Sequence, residues 1–242
     1  MLTATTRLVA LLGHPVAHSL SPRMQNAAFA ARALDWAYVA LDVEPDRLTE
    51  AVRGLAAAGF VGANVTAPHK VAVLESCDEV DEVASRARSV NTLMIADGRV
   101  RGTSTDAQAL DGVAASKAVL LGSGGAARAW LAALEQRGVD VQTYSRSGEW
   151  PPPPEADAEL IVNATPLVDE VLVQPVAGQA VVDLAYSLDG RDTALIAAAR
   201  KAGCETIVDG LEVLVRQGAA SFECWTGMAA PLEVMRAAVG LR

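Results

Sequence analysis

Three polar segments in the first half of the chain carry side chains able to move protons. In Asn64-Val65-Thr66-Ala67-Pro68-His69-Lys70 an apolar strand ends in Asn and Thr, and Lys70 follows in what reads as the first turn of a helix starting at Pro68. The helix macrodipole disfavours a cation at that end. A partly buried lysine there is suited to acid–base work, whereas an exposed one is an ordinary surface residue. Ser89-Val90-Asn91-Thr92 and Gly102-Thr103-Ser104-Thr105-Asp106 form a second group. Asp106 stands where a strand ends and a helix opens, a place that suits an N-cap as well as a catalyst. In the third segment, Gly13–Pro22, Ser21 reads as a helix N-cap with Pro22 at the first helical position, and Ser19 as a turn residue. His14, His18 and His69 are too scattered for a metal site and read as structural.

The second half opens on a different chemistry. Val119-Leu120-Leu121-Gly122-Ser123-Gly124-Gly125-Ala126-Ala127-Arg128 has G-x-G-x-x-A spacing directly after an apolar strand and at the start of a helix. Gly122 permits a tight turn, Gly124 lets the backbone approach a pyrophosphate, and Ala127 allows close packing of helix on strand. The helix N-terminus adds N–H donors and partial positive charge. A glycine-rich turn that only packs would show the same spacing, so the strand–turn–helix context carries the dinucleotide reading. An NAD site places Asp or Glu about twenty residues after the first glycine. Here the next strand ends in Ser145-Arg146-Ser147, a guanidinium between two hydroxyls, which suits a 2′-phosphate and favours NADP over NAD.

The elements that must hold these groups alternate along the chain. Strands are expected at Arg7–Leu12, Trp36–Val43, Phe60–Val65, Thr92–Ala96 and Arg99–Thr103, with Asp97-Gly98 as a hairpin turn between the last two. Helices are expected from Ser21 to about Leu34, over Asp46–Ala58, and from Pro68 to Leu74. A second cycle has strands at Ala118–Leu121, Val139–Tyr144, Leu160–Ala164, Ala180–Ala185 and Thr206–Val208. Its helices are expected at Gly124–Arg137 and Thr193–Ala202, followed by Leu211–Trp225 and Pro231–Val239. Pro151–Pro154 belongs to a loop. The style of the sequence breaks near Asp111–Ser116. The pattern predicts an α/β protein of two domains, residues 1–112 and a Rossmann-like domain at residues 113–210, with the C-terminal helices, 211–242, following the second.

Composition excludes several classes. Of the 242 residues 51% are hydrophobic, enough to build a core, and the net charge of −9 comes with no basic block. A nucleic-acid or anionic membrane surface would want a basic patch, so neither partner is expected. Cys77, Cys204 and Cys224 make no C-x-x-C pair, as in a reducing compartment. The opening MLTATTRLVALLG has too short an apolar run for a secretory signal, and a cytoplasmic location is expected.

Taken together, the segments resemble the shikimate dehydrogenase family, in its order and approximate spacing along nearly the whole chain. Gly13–Pro22 with Asn26 is similar to G-x-P-x-x-H-S-x-S-P, Asn64–Lys70 to N-V-T-x-P-x-K, Ser89–Leu93 to A-V-N-T-L, and Thr105-Asp106 to the end of N-T-D. Gly122–Arg128 resembles G-A-G-G-A-A-R, Ser145–Ser147 N-R-T, Asn163-Ala164-Thr165 N-A-T, and Asp183–Tyr186 D-x-x-Y. Asp209-Gly210-Leu211 with Leu214, Val215 and Gln217 resembles D-G-L-x-M-L-V-x-Q. The resemblance implies a substrate domain and an NADP domain, with the last helices returning to the first. It implies that Ser19, Ser21, Thr66, Asn91, Tyr186 and Gln217 bind substrate and that Lys70 and Asp106 transfer the proton. It also implies that Gly122, Gly124, Gly125, Ala126, Ala127, Ser145, Arg146, Ser147, Asn163, Ala164, Thr165 and Gly210 hold the cofactor.

The reaction so implied is reduction of 3-dehydroshikimate to shikimate by NADPH in chorismate and aromatic amino-acid biosynthesis. It needs no metal, and the protein would work as a monomer or homodimer. The alternatives are a sister enzyme acting on quinate with NAD, a dehydrogenase for another cyclic polyol acid, and a non-catalytic binding paralogue. Ser104 replaces the family's Asn, Ala107 a common Gly, Gln25 a frequent His, and Gly148, Glu149 and Trp150 occupy the place of a second basic residue. Glu212 and Val213 replace Gly and Met, and the segment Pro166–Pro175 is short.

Overall fold

Arg7–Gly13, apolar from Leu8 to Leu12, forms β1, and its Val9–Leu12 stretch is no more than 3% exposed. A strand so buried on both faces has neighbours on either side, and β1 pairs in parallel with β2 (Trp36–Asp42) and β3 (Gly62–Val65). The computed structural model describes residues 2–241. The chain divides into two compact units, one running to Asp106 and resumed from Val215, the other spanning Ala107–Leu214.

The first unit holds α1 (Ser21–Ala31), α2 (Leu48–Ala57), a two-residue β4 (Glu79–Val80), α3 (Glu82–Ala87), β5 (Thr92–Ala96) and β6 (Arg99–Thr103). Its six-stranded sheet has the order β2-β1-β3-β5-β6-β4, with β5 antiparallel to both β3 and β6. Asp97 (φ 51°) and Gly98 (φ 72°) make the tight hairpin turn expected between β5 and β6. The core under one face is built from Leu12, Val52, Ala63, Val65, Val73, Val90 and Leu93, among others.

The second unit runs through β7 (Lys117–Leu121), α4 (Gly125–Gln136), β8 (Asp140–Tyr144), β9 (Leu160–Asn163), β10 (Ala180–Asp183), α5 (Ala194–Ala202) and β11 (Thr206–Val208). Its five strands are all parallel, in the order β11-β10-β9-β7-β8. Ala109 and Leu110 pack into this unit's core beside Leu120, Trp130 and Val162. This is why the chain changes unit at Asp106, before the compositional break near Asp111–Ser116. The other junction falls inside α6 (Gly210–Thr226), which is followed by α7 (Leu232–Val239). No helix of the described residues is long and apolar enough to cross a membrane.

Several elements differ from expectation. No α-helix starts at Pro68. Residues 68–71 form turns and a short 3₁₀ helix follows at Ala72–Ser76. The Lys70 carbonyl accepts the Val90 amide (2.8 Å), and the Leu74 amide closes onto Val71, a 3₁₀ bond, instead of onto Lys70. The cation–macrodipole argument for Lys70 therefore does not hold. Helix α1 stops at Ala31, short of Leu34, because Ala33 turns left-handed (φ 52°) and the Leu34 amide closes onto Phe29. Ser21 is the first helical residue and Leu20 the N-cap, with no side-chain cap bond. Ser19 supplies the hydroxyl instead, accepting the Ser21 amide at 3.2 Å. Helix α3 was not expected, although Asp81 caps it through the Ala84 amide at 2.9 Å.

Candidate active site

Both sheets have a point where the strand order reverses. In each, the chain lays one neighbour on one side of a central strand and crosses back to the other side. Ligands of open α/β sheets bind outside the carboxyl ends of the strands at such points. In the first unit the reversal is at β1 and β3, which feed Gly13–Pro22 and Thr66–Lys70. In the second it is at β7 and β9, which feed the glycine loop and Asn163–Thr165.

In the first unit Lys70 meets Asp106. Its Nζ donates to Oδ1 at 2.6 Å and to Oδ2 at 2.8 Å, and the two side chains are 16% and 6% exposed. Nζ makes no other hydrogen bond among the described residues, which leaves one ammonium hydrogen for a ligand. Asn91 Nδ2 donates to the same Asp106 Oδ1 at 2.9 Å. The Asn91 amide cannot flip, because its Oδ1 accepts the Thr105 amide at 2.8 Å and the Thr92 hydroxyl at 2.9 Å. Gln217, on α6, brings Oε1 to 3.2 Å from Asn91 Nδ2. The structure thus joins Lys70, Asp106, Asn91 and Gln217.

Ser21, at the start of α1, and Thr66, just after β3, belong to the same unit. Thr66 sits directly against Gly13, where a Cβ would collide with its methyl group. Ser21 interacts with the hydroxyl of Tyr38, a phenol whose ionisation burial pushes far upward. Tyr38 donates to Asn64 Oδ1 at 2.9 Å, and Asn64 Nδ2 donates to the Asn91 carbonyl at 3.1 Å. Tyr38, Asn64, Thr92, Thr105 and Ser221 were not among the expected site residues. The signal was present in the case of Asn64 and Thr92, polar residues in fully buried strand positions. Gln25 ties α1 to α6, donating to the Gly218 carbonyl at 2.8 Å. Ser104 is buried, and its Oγ has no hydrogen-bond partner among the described residues.

In the second unit Gly122 has φ +119°, and a Cβ on it would lie 2.9 Å from the Ala164 carbonyl oxygen. The glycine loop and the Asn163–Thr165 turn are therefore in contact. Gly124 caps α4 without a side chain, and a Cβ there would meet nothing within 4 Å. Gly124 thus keeps the start of α4 clear of a side chain, as a pyrophosphate site requires. Ser145 Oγ lies 3.2 Å from Ser147 Oγ, which donates to Ser123 Oγ at 3.2 Å, with Arg146 exposed between the two serines. Hydroxyls and a guanidinium are the groups a phosphate monoester takes. Asn163 donates to Asp183 Oδ1 at 2.9 Å, and the Thr193 hydroxyl donates to Oδ2 at 2.5 Å. Burial raises the Asp183 carboxyl above its usual range against the pull of these bonds. Gly210 packs on the backbone of Leu184 and Ala185, next to Tyr186. Among the described residues no group of three or more His, Cys, Asp or Glu could hold a metal.

Comparison with known proteins gives concordant matches. The family described as "Shikimate dehydrogenase substrate binding domain" matches residues 11–93, and "Shikimate 5'-dehydrogenase C-terminal domain" matches residues 210–239. A shikimate dehydrogenase (NADP(+)) of an Anaeromyxobacter species is 43% identical, over 99% of this chain and 98% of the relative. The solved shikimate dehydrogenase of Aquifex aeolicus is 29% identical with a TM-score of 0.90, covering 99% of this chain and 100% of that one. A Thermus thermophilus shikimate 5-dehydrogenase, solved with NADP(H) and shikimate, is 33% identical with a TM-score of 0.84, covering 97% and 98%.

Proposed function

The chain belongs to the shikimate dehydrogenase family, and we propose that it catalyses the NADPH-dependent, reversible reduction of 3-dehydroshikimate to shikimate, a step of chorismate and aromatic amino-acid biosynthesis. The observation that carries this reading is the Lys70–Asp106 pair with Asn91 on the same carboxylate oxygen. Bound NADPH supplies the hydride that the carbonyl carbon gains. Lys70 donates a proton from Nζ to the carbonyl oxygen as negative charge develops on it, and is then reprotonated from solvent. Asp106 holds the ammonium in place and orients the hydroxyl of the product. In the oxidative direction Lys70, deprotonated, takes that hydroxyl proton.

Residues 1–106 with 215–242 act as the substrate domain and residues 107–214 as the cofactor domain. Ser19, Ser21, Thr66, Asn91, Tyr186 and Gln217 bind the substrate's carboxylate and hydroxyls. The amides of Gly125, Ala126 and Ala127 take the pyrophosphate, made accessible by Gly122 and Gly124. Ser145, Arg146 and Ser147 take the 2′-phosphate. Asn163, Ala164, Thr165 and Gly210 complete the cofactor site. The enzyme works in the cytoplasm, as a monomer or homodimer.

The test is the initial rate with 3-dehydroshikimate, NADPH against NADH, beside shikimate and quinate in the reverse direction. Turnover of the shikimate pair with a preference for NADPH, lost in Lys70→Ala, is expected. Turnover of quinate with NAD alone, or full activity of Lys70→Ala, would sink the proposal.

A further inference from the structure

Ser221 lies on α6 at 0% exposure, at the junction of a hydroxyl cluster that leads to Asp106. Its Oγ is 2.8 Å from Thr92 Oγ1 and 3.1 Å from Thr105 Oγ1. It accepts Asn64 Nδ2 at 2.9 Å and donates to the Gln217 carbonyl, one turn back, at 3.0 Å. The helix that carries it is held on the first sheet by Trp225, whose indole N–H donates to the Leu93 carbonyl at 2.9 Å. Gly62 makes the room, since a Cβ there would lie 2.6 Å from that carbonyl oxygen and strike the indole.

Each hydroxyl has a single proton to give. On one side the Asn91 carbonyl, which can only accept, fixes the Asn64 amide so that Nδ2 faces the cluster, 2.9 Å from the Ser221 hydroxyl and 3.2 Å from that of Thr92. The hydroxyl protons are thereby turned towards the two acceptors on the other side, the Gln217 carbonyl and Asn91 Oδ1. An Asn91 oxygen occupied in this way leaves Nδ2 as the atom facing Asp106. Reversing the amide would set its NH2 against the Thr105 N–H and its oxygen against the Asp106 carboxylate, inside a region where an unpaired polar group is costly.

We propose that Ser221 is a positioning residue for the reaction, fixing through Thr92 and Thr105 the Asn91 amide that aligns the Asp106 carboxylate with Lys70. This rests on the reading of Lys70 and Asp106 as the reacting pair. Ser221 touches neither of them. It acts by closing the cluster from the helix side, holding the Thr92 and Thr105 hydroxyls against Asn91 Oδ1.

The test compares Ser221→Ala and Thr92→Val with the parent and with Lys70→Ala, in the full chain. Both variants remove one hydroxyl with little change of shape, and Thr92→Val carries the test if Ser221→Ala does not fold. For shikimate oxidation, kcat is expected to fall about tenfold, the effect of about one hydrogen bond. NADP+ affinity, read by fluorescence titration, and the KM for shikimate stay within about twofold. A kcat within about twofold of the parent, or a loss confined to KM, overturns the role of Ser221 when Lys70→Ala is inactive. Turnover retained in Lys70→Ala instead sinks the assignment of the pair itself.

Discussion

Asn91 points its amide nitrogen at Oδ1 of Asp106 from 2.9 Å, and that same oxygen receives the ammonium of Lys70 at 2.6 Å. An aspartate met from two directions by fixed donors has little freedom to rotate, so its second oxygen is presented in a defined place. Replacing Asn91 by Ala removes a hydrogen bond to a charged group, an interaction of about 1.5–3 kcal/mol. The expected result is a kcat reduced about 10- to 100-fold, measured by steady-state shikimate oxidation at saturating NADP+. Asp106→Asn should cost more, about 10²–10⁴-fold, because it removes the charge that holds Lys70.

Arg146 lies exposed between two serines whose hydroxyls are 3.2 Å apart. If it grips the 2′-phosphate, Arg146→Gln weakens NADP+ binding about tenfold or more and leaves NAD+ binding unchanged, because only NADP+ carries that group. Titration of both nucleotides against the variant decides the matter. Equal losses for the two would assign Arg146 to general attraction.

Gly122 and Gly124 separate folding from binding. A Cβ at Gly122 meets the Ala164 carbonyl and demands a left-handed backbone, so Gly122→Ala should lower stability by about 1–3 kcal/mol. Gly124 has φ −70° and open space around a would-be Cβ, so Gly124→Ala should melt like the parent while losing NADP+ affinity. Thermal unfolding beside nucleotide titration of both variants checks the contrast.

Asp183 gives a signature in pH. Burial raises its carboxyl above the ordinary 3.8, so the folded protein holds that proton to higher pH than the unfolded chain does. Stability from this proton is fully present below about 3.8 and is lost as the pH rises through the raised value. In Asp183→Asn that decline should be absent. Urea unfolding of both proteins across the acid range would reveal it, and parallel curves would rule it out.

The strands were legible because buried parallel strands are written as continuous apolar runs, as in Val9–Leu12 and Leu160–Val162. The glycine loop was legible because backbone approach to a ligand restricts side-chain size. What escaped depends on partners distant in sequence. Val90 takes the Lys70 carbonyl where a helix was expected at Pro68, a contact no local pattern encodes. Ser221 reads as one more small residue on a helix until Asn64, 157 positions earlier, is brought against it. Ser19, which reads as a turn residue, serves the first amide of α1, while Ser21, which reads as its cap, lies inside the helix. The 3₁₀ turn at Pro45–Arg47 likewise shortened the helix expected from Asp46.

The bond from the Val90 amide to the Lys70 carbonyl has a mechanical consequence. A lysine has a long, freely rotating stem, and a donor mounted on a short irregular loop could wander by more than a proton-transfer distance. Here the loop is moored by its main chain to the residue next to Asn91, so the root of Lys70 and the neighbour of Asp106 shift as one piece. Substitutions at the exposed Val71, Ala72 and Glu75 can therefore alter the loop's surface without detuning the distance over which the proton travels.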